Sequence, residues 1–375
     1  MLLTAYNLTG YLLQQNTHSG FSALSNIFSE RDLLLIENID ARNPRNTLLK
    51  CTVNKQSFVF KQPKFLTNSG TLPILNEYHF YSSFGGLQVK LKDFSFDSQY
   101  NILLLPYLQN LPEPHQVLNS SCQLQEYARQ TADALAALHQ SLRLNGNPPA
   151  KVFLQNHCFN RLSYYRSFIN LLQLGATRAQ FLDEVVFPSF AFISPSRAIL
   201  HSFLNKATFA DALEEFSEQI VEEYLIHGDL KVENLLQDGA TGMPKFIDFE
   251  NVSEGDHAWD FACFLESVLY QPAFRRGAST NELSASLMKR YFFFAEYLNA
   301  YCQKFSFNET AHYQFTSRVL KFWALRKLER LRNYDGNFNY FLVSLEVVKR
   351  LMIDTEKYID AIYDSGECRF EIFEF

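Results

Sequence analysis

Two short acidic segments constrain this chain more than any other part of its sequence. Residues 227–234 read HGDLKVEN, and residues 247–250 read IDFE. Transfer of a γ-phosphate needs one carboxylate that orients and deprotonates the acceptor hydroxyl, and metal ligands that neutralise the charge developing on the phosphates. Asp229 suits the first task. Asn234 and Asp248 suit the second, because Mg²⁺ takes hard oxygen ligands and shares them with substrate phosphates.

The order and spacing of the motifs resemble a known family, the aminoglycoside phosphotransferase and choline kinase group, which is related to the eukaryotic protein kinases. HGDLKVEN is similar to the group's HGDxxxxN loop, and IDFE is similar to its metal-binding IDFE or IDWE segment. Residues 238–242 supply the turn of an intervening β-hairpin. Residues 255–260, GDHAWD, resemble the group's GDPxxD segment. The resemblance implies ATP and Mg²⁺ as cofactors and an alcohol hydroxyl as acceptor.

The resemblance also implies a fold. We expect an α+β, bilobal protein kinase-like fold, with a small antiparallel β-sheet and one helix in the N-terminal lobe and a large, mainly α-helical C-terminal lobe. Residues 1–108 are expected to form the nucleotide-binding lobe, and residues 109–375 the catalytic and acceptor-binding lobe. Short β-prone runs at residues 33–36, 47–53 and 57–61 agree with the first three strands.

Periodicity predicts several helices beyond residue 108. A core-facing helix is expected where apolar and small side chains recur at alternating spacings of four and three: Leu124, Ala128, Thr131, Leu135 and Leu138. Residues 164–169, 180–184 and 209–216 are also predicted to be helical.

Further roles follow from the resemblance alone. Asp260, the last residue of the GDPxxD-like segment, is expected to support the catalytic loop, and His227 to orient the loop backbone. Lys61 is expected to contact the α- and β-phosphates, held by Glu77 from the next helix, where Pro73 is expected early in the helix. Lys61 and Glu77 would each, taken alone, also suit a surface charge.

The hinge to the second lobe is predicted at residues 101–108. If adenine is recognised there, Pro106 supplies the backbone carbonyl and Leu108 the backbone amide, because proline has no N–H to donate. A buried strand that ends in a proline is the alternative for this segment.

One departure concerns the loop that covers the phosphates. No glycine occurs between Gly20 and Gly70, although glycine normally lets backbone amides approach phosphate closely. Asn43 and Asn46 tolerate unusual backbone angles better than most residues, and the family resemblance places an Asn such as Asn46 just before the second strand. The missing glycine keeps open the alternative of a nucleotide-binding scaffold with weak or no catalysis.

Composition excludes some classes of function. With 34 basic and 40 acidic residues the formal net charge is −6, so bulk electrostatics does not favour nucleic acid as a partner. The six cysteines contain no CxxC pair, which favours reduced thiols over a zinc site or a disulfide framework. The sequence shows neither a basic signal-peptide start nor an apolar run of about 18 residues. A cytoplasmic enzyme that is not membrane-bound is therefore expected.

The acceptor is less constrained than the site. Lys231 follows Asp229 by two residues, where Ser/Thr protein kinases carry a lysine that contacts the γ-phosphate, although a solvated loop lysine is the alternative. Residues 318–332 carry six basic side chains against one acid, which indicates either a solvated helix face or a surface for an acidic or peptide partner. Carboxylates near the C-terminus favour an acceptor that carries amines instead, namely Glu367, Glu371 and Glu374.

Two substrate classes therefore stay open. Local sequence around Lys61 and Glu77, with the long helical insertion, also resembles the peptide kinases of class V lanthipeptide and thioviridamide-type pathways. Such an enzyme would phosphorylate Ser or Thr of a precursor peptide and work with a lyase partner. The other class is a small molecule, such as an amino alcohol, sugar or antibiotic.

Overall fold

The structure, a computed structural model, describes most of the chain. The described residues are 2–15, 35–39, 45–53, 55–64, 68–84, 94–107, 109–110, 121–157, 163–177, 195–237, 244–270, 280–332 and 338–364. They group into two compact units. Unit 1 comprises Met1–Asn110, Pro148–Asn160 and Leu236–Val252, and unit 2 comprises Leu111–Asn147, Arg161–Leu235 and Ser253–Phe375. The division at residue 108 into two functional lobes stays a prediction.

Strands and helices are numbered here in chain order. The strands are β1 (Leu35–Asn38), β2 (Asn46–Val53), β3 (Gln56–Pro63), β4 (Ser95–Asp97), β5 (Ile102–Pro106), β6 (Gln109–Asn110), β7 (Tyr224–Ile226), β8 (Leu235–Gln237), β9 (Pro244–Phe246) and β10 (Ser253–Gly255). The α-helices are α1 (Leu8–Gln15), α2 (Asn68–Phe84), α3 (Ser121–Ser141), α4 (Pro148–His157), α5 (Tyr164–Thr177), α6 (Pro195–Leu204), α7 (Ala207–Gln219), α8 (His257–Leu269), α9 (Thr280–Phe305), α10 (Glu309–Arg332), α11 (Phe338–Ile353) and α12 (Thr355–Asp364).

Unit 1 is built on a five-stranded antiparallel sheet in the order β1-β2-β3-β5-β4. Side chains along a strand point alternately to its two faces, and the apolar side of β2 carries the buried Leu49, Cys51 and Val53. These pack in one core with Phe58 and Phe60 of β3 and with residues of α1. The predicted small sheet is confirmed, and α1 precedes it as an additional short helix.

Helix α2 follows the sheet strand that carries Lys61. The expectation that Pro73 lies early in this helix is only roughly met, because the helix begins at Asn68 and the proline falls inside it. Proline fixes φ near the helical value and removes a single backbone N–H, so a position near the N-terminal end is tolerated. Phe80 of α2 stacks on Phe249 and meets Phe153 of α4 edge to face, which fixes the helix within unit 1.

Unit 2 is mainly helical. The spacing-based prediction of α3 is confirmed, because all five residues on which it rests are buried. Every residue of α8 is buried, from His257 to Leu269, so this helix forms the centre of the unit. Strand β10 directly precedes α8 in the chain and pairs with β7, which packs against α8. Among the described helices, none has the length and apolarity that a membrane crossing requires.

Several predicted features lie outside the described residues. They are Leu108, residues 40–44 of the phosphate-covering loop, the predicted helix at residues 180–184, the hairpin turn at residues 238–242 and the C-terminal Glu367, Glu371 and Glu374.

Candidate active site

The loop that carries Asp229 begins where β7 ends. Gly228 has a φ of 84°, a backbone conformation that favours glycine. The backbone amides of His227 and Gly228 both donate to the Asp260 carboxylate, at 2.6 and 2.9 Å. Trp259 Nε1 donates to the Gly228 carbonyl at 2.9 Å. The buried start of helix α8 therefore fixes the loop backbone directly before Asp229.

Asp260 is held from a second side as well. It is fully buried, and its Oδ2 lies 3.0 Å from Nε2 of His139 at the end of α3. Nδ1 of His139 lies 2.6 Å from the Tyr301 hydroxyl. A buried carboxylate is stable only with such partners, and these contacts support the predicted role of Asp260. The predicted role of His227 is supported by the Asp229 amide, which donates to His227 Nδ1 at 3.4 Å.

Both oxygens of the Asp229 carboxylate contact cations of unit 2. Lys231 Nζ donates to Oδ2 at 3.1 Å, and Arg326 Nη2 donates to Oδ1 at 2.9 Å. Burial of Asp229 favours the neutral acid, but Lys231 and Arg326 outweigh it, so the pKa of the carboxyl lies below its ordinary value. Asp229 therefore remains ionised at neutral pH, and its side chain keeps 27% of its surface exposed.

Asn234 lies on the short helical turn Val232–Asn234 that follows the loop. Its side-chain nitrogen donates to the Asp229 carbonyl at 3.0 Å. The carboxamide oxygen is then the atom of Asn234 suited to a metal ion. The turn is fastened to α8, because the Val232 amide donates to the Ser267 hydroxyl at 2.9 Å.

The second group of predicted residues meets in unit 1, around Lys61. This buried side chain lies 2.7 Å from Glu77 Oε2 and 3.2 Å from Glu250 Oε2, and it also contacts Asp248 Oδ1. Lys61 and Glu77 therefore form a buried ion pair at the predicted spacing, and the alternative of two surface charges is wrong.

Three carboxylates surround Lys61 in this cluster, and one of them, Glu250, also lies 3.8 Å from Arg45 Nη1. Burial alone lowers the pKa of Lys61, but Asp248, Glu77 and Glu250 outweigh it and raise the pKa well above its ordinary value. Burial raises the pKa of Glu77 to about 7, against the opposing effect of Lys61. The cluster is thus rich in negative charge, which is the environment that a divalent cation offsets.

Asp248 has an unusual backbone conformation, with a φ of 70° and a ψ of 49°. Asp and Asn adopt this left-handed region more readily than other non-glycine residues. The Asp248 amide donates to the Tyr81 hydroxyl at 3.3 Å, and this hydroxyl donates to Glu77 Oε1 at 3.1 Å. Tyr81 therefore links the segment that carries Asp248 to the helix that carries Glu77.

Asn46 lies at the start of β2, as predicted, and is buried. Its side-chain amide donates to Glu250 Oε2 at 3.3 Å. Asn76 of α2 donates to the carbonyls of Glu250 and Val252, at 3.2 and 3.1 Å. Glu250 is thus the point where the start of β2, helix α2 and Lys61 meet.

The described part of the hinge ends at Tyr107. Pro106 is the last residue of β5 and pairs with Phe58 of β3. The Tyr107 amide donates to the Ser57 carbonyl at 2.9 Å. The adenine contacts of Pro106 and Leu108 stay predictions.

The contacts of the basic residues on helix α10 agree with neither interpretation of this part of the sequence. Its cations make ion pairs inside unit 2: Arg318–Asp256, Lys321–Glu215, Arg326–Asp229, Lys327–Glu266 and Arg330–Glu266. All but Arg330 have side chains that are at most 15% exposed. For the four cations other than Arg330, a solvated helix face is therefore wrong, and so is a surface for an acidic partner.

The sequence analysis did not predict four residues of the site, which are Tyr81, Asn76, Glu250 and Arg326. Glu250 and Tyr81 carried usable signals, since Glu250 lies inside the IDFE segment and Tyr81 follows Glu77 by one helical turn. Asn76 and Arg326 carried none. Arg326 is 97 residues from Asp229, and the packing of α10 against α8 brings helix α10 to the loop that carries Asp229.

A comparison with known proteins agrees with this geometry. The model of the phosphotransferase enzyme family matches residues 52–297. No curated protein sequence matches the chain significantly.

Solved structures with the same fold include two kinase-type enzymes and a ternary complex. An ethanolamine kinase from Plasmodium vivax has 15% identity and a TM-score of 0.55, over 95% of this chain and 98% of the other. A putative aminoglycoside phosphotransferase from Ralstonia eutropha JMP134 has 14% identity and a TM-score of 0.52, over 94% and 98%.

The streptomycin–ATP–APH(2″)-IIa complex has 14% identity and a TM-score of 0.51, over the full length of both chains. At these identities the structures show a shared fold, which confirms the predicted kinase-like class. The family match goes further: this chain belongs to the phosphotransferase enzyme family.

Proposed function

We propose that this phosphotransferase moves the γ-phosphate of ATP to an alcohol hydroxyl, with Asp229 as the residue that orients and deprotonates the acceptor. The observation that carries the proposal is the Asp229 carboxylate, which is ionised, partly exposed and placed on a loop whose backbone is fixed by Asp260. Phosphoryl transfer depends mainly on positioning and charge, and little on covalent chemistry by the protein.

The remaining roles follow the chemistry of each side chain. Lys61 binds the α- and β-phosphates and Glu77 positions it, while Lys231 contacts the γ-phosphate. Pro106 and Leu108 bind adenine, and Asn46 belongs to the segment that covers the phosphates. Because Asp229 has a lowered pKa it is a weak base, so its main contribution is to orient the hydroxyl before the proton moves.

Magnesium fits the residues that would hold it. The carboxamide oxygen of Asn234 and the carboxylate of Asp248 are hard oxygen donors, and Mg²⁺ is commonly bound by one or two carboxylates together with substrate phosphates. When bound there, Mg²⁺ supplies positive charge that offsets the charge developing on the phosphates. The contacts of Lys61 with Glu77, Asp248 and Glu250 support the assignment of Asp248, because they gather carboxylates around it.

For the acceptor we favour a small-molecule alcohol over a precursor peptide. An ethanolamine kinase and an aminoglycoside phosphotransferase-type enzyme share the fold, and the basic helix, one of the pointers towards a peptide, is used by internal ion pairs. A peptide substrate with a lyase partner is the second candidate, motivated by Lys231 beside Asp229.

The experiment is an acceptor panel with MgATP, in which ADP release and phosphorylated product are followed together. Amino alcohols, sugars, aminoglycosides and Ser/Thr peptides form the panel, with EDTA as the metal-free control. We expect Mg²⁺-dependent product with at least one small-molecule class. If ATP raises the melting temperature of the protein but no ADP forms, either with an acceptor or by hydrolysis, the catalytically inactive scaffold is favoured instead.

A further inference from the structure

The contact between Arg326 and Asp229 connects helix α10 to the proposed base. Arg326 Nη2 donates to Asp229 Oδ1 at 2.9 Å, and Nη1 contacts Glu329 one turn further along the helix. The side chain is only 15% exposed. Its carbon Cζ lies 6.0 Å from the centre of the Trp259 ring, on the helix that fixes the catalytic loop. Arg326 is therefore held from two sides by the scaffold of unit 2.

The two cations on Asp229 differ in exposure and in shape. Lys231 lies in the loop itself, and its side chain is 36% exposed. An ammonium on a flexible stem is a point charge that can turn between partners, whereas a guanidinium binds through a rigid planar fork. A buried guanidinium on Oδ1 and a more exposed ammonium on Oδ2 make the two carboxylate oxygens inequivalent.

We propose that Arg326 is a positioning residue for the transfer proposed above, on which this inference rests: it holds Oδ1 of Asp229 so that Oδ2 faces the acceptor hydroxyl. Lys231 leaves Oδ2 for the γ-phosphate when the substrates bind. The hydroxyl oxygen then bonds to the γ-phosphorus as the bond to the bridging oxygen of ADP breaks, and the hydroxyl proton passes to Oδ2. Arg326 touches neither substrate and acts through Asp229.

The hydrogen-bond donors of the buried Arg326 side chain indicate why an arginine suits this position. Its Nε has no hydrogen-bond partner among the described residues, so one donor of the side chain is buried without compensation. A buried donor without a partner lowers the free energy of unfolding. The contacts of Arg326 with Asp229 and Glu329 therefore point to a role in orienting Asp229 rather than in stability. A lysine would keep the charge but could not contact Asp229 and Glu329 through a planar fork.

The test uses the full-length enzyme, with water as the acceptor, so that no acceptor needs to be known. The hydrolysis of MgATP to ADP reports the turnover number, and the KM for ATP reports nucleotide binding. We expect R326A to lower kcat by about tenfold to a hundredfold, the range for a misplaced reacting group, with the KM for ATP changed by less than about twofold. R326K should retain an intermediate kcat.

Chemical rescue separates positioning from general damage. Added guanidinium chloride at concentrations below those that unfold the protein should restore part of the kcat of R326A and none of the kcat of D229N. R326A also leaves Glu329 without the cation that it pairs with. The double variant R326M/E329Q removes both charges, and we expect it to show the same loss of kcat as R326A with a wild-type melting temperature.

R330A is the matched control. Arg330 lies one turn further along the same helix and pairs with Glu266, 3.4 Å away, rather than with Asp229. Its kcat should stay within about twofold of wild type.

Two results would overturn the inference. One is a kcat of R326A within about twofold of wild type. The other is an equal loss in R326A and R330A that guanidinium does not reverse. If the wild-type protein instead shows neither an ATP-dependent rise in melting temperature nor hydrolysis or transfer, the proposed function itself fails.

Discussion

At the scale of single residues, the Asp229 carboxylate is held by two cations, with Lys231 Nζ 3.1 Å from Oδ2 and Arg326 Nη2 2.9 Å from Oδ1. Asp229 and Asn234 come together through a backbone contact that the spacing of five residues allows. Sequence alone gives no sign that Arg326 binds the same carboxylate, because that contact depends on helix packing. Short-range contacts are encoded in the spacing of a motif, whereas long-range ones are properties of the folded chain.

The backbone of Asp248 leads to a prediction that separates its chemistry from its conformation. D248N removes the charge of the proposed metal ligand but keeps a residue type that tolerates the left-handed region. We expect it to lose more than about a hundredfold in MgATP turnover while it folds normally. D248A should in addition be less stable than D248N by about 1 kcal/mol, because alanine pays for the positive φ.

Urea unfolding of both variants measures this difference, and Mg²⁺ titration of the residual activity measures the metal effect. Full MgATP turnover by D248N would show that Asp248 is not a metal ligand.

At the scale of elements, regular patterns predicted more than charge patterns did. The spacing of apolar residues predicted α3 because burial on one face is what a core-facing helix requires. The basic run on α10 was misread, since the sequence shows the charges and not their partners. Acids that pair with these cations, Asp256 and Glu266, lie on or next to α8, a helix buried along its whole length.

The strand before α8 packs tightly at Gly255. A Cβ added there would lie 2.6 Å from Ile226 Cδ1 and 3.0 Å from the Tyr165 hydroxyl. That hydroxyl accepts a hydrogen bond from the Asp256 amide at 2.8 Å. We expect G255A to lower the free energy of unfolding by about 1–3 kcal/mol, as for other overpacked sites.

G10A serves as the control in the same denaturation experiment. Among the described residues, no atom lies within 4 Å of a Cβ at this position in helix α1, and alanine favours a helix over glycine by about 1 kcal/mol. G10A should therefore match or exceed the wild-type stability. A G255A protein as stable as wild type would show that the β7–β10 pair can relax.

His257, the first residue of α8, should make stability depend on pH. Burial lowers its pKa well below the ordinary value, with smaller effects from His139, Arg318 and Arg143. The unfolded chain takes up a proton near pH 6.5, and the folded chain does not. The stability that the neutral, buried His257 contributes is therefore fully present above pH 6.5. Below pH 6.5 the free energy of unfolding falls by up to about 1.4 kcal/mol per pH unit.

The variant H257F removes this titration and keeps an aromatic ring beside Tyr224 and Phe315. Free energies of unfolding measured from pH 7 to pH 5 should fall less steeply for H257F than for wild type. Parallel curves would contradict a neutral, buried His257.

At the scale of the whole molecule, the family resemblance predicted the fold class that the structure has. The five-stranded antiparallel sheet, the lysine on β3 with its glutamate on α2, and the helical unit 2 all agree with it. The loop that lacks glycine could not be judged from sequence, and residues 40–44 lie outside the described residues. The acceptor is also beyond sequence, because a hydroxyl acceptor leaves no motif of its own.

Asp229 is the residue on which the whole account depends, and D229N tests it most directly. The measurement is Mg²⁺-dependent transfer of the γ-phosphate from ATP, with water or the best acceptor of the panel, alongside ATP binding by calorimetry. We expect D229N to lose transfer almost completely and to bind ATP nearly as well as wild type, because Lys61, Glu77 and Asp248 are unchanged. Transfer by D229N at the wild-type rate would contradict the proposed mechanism.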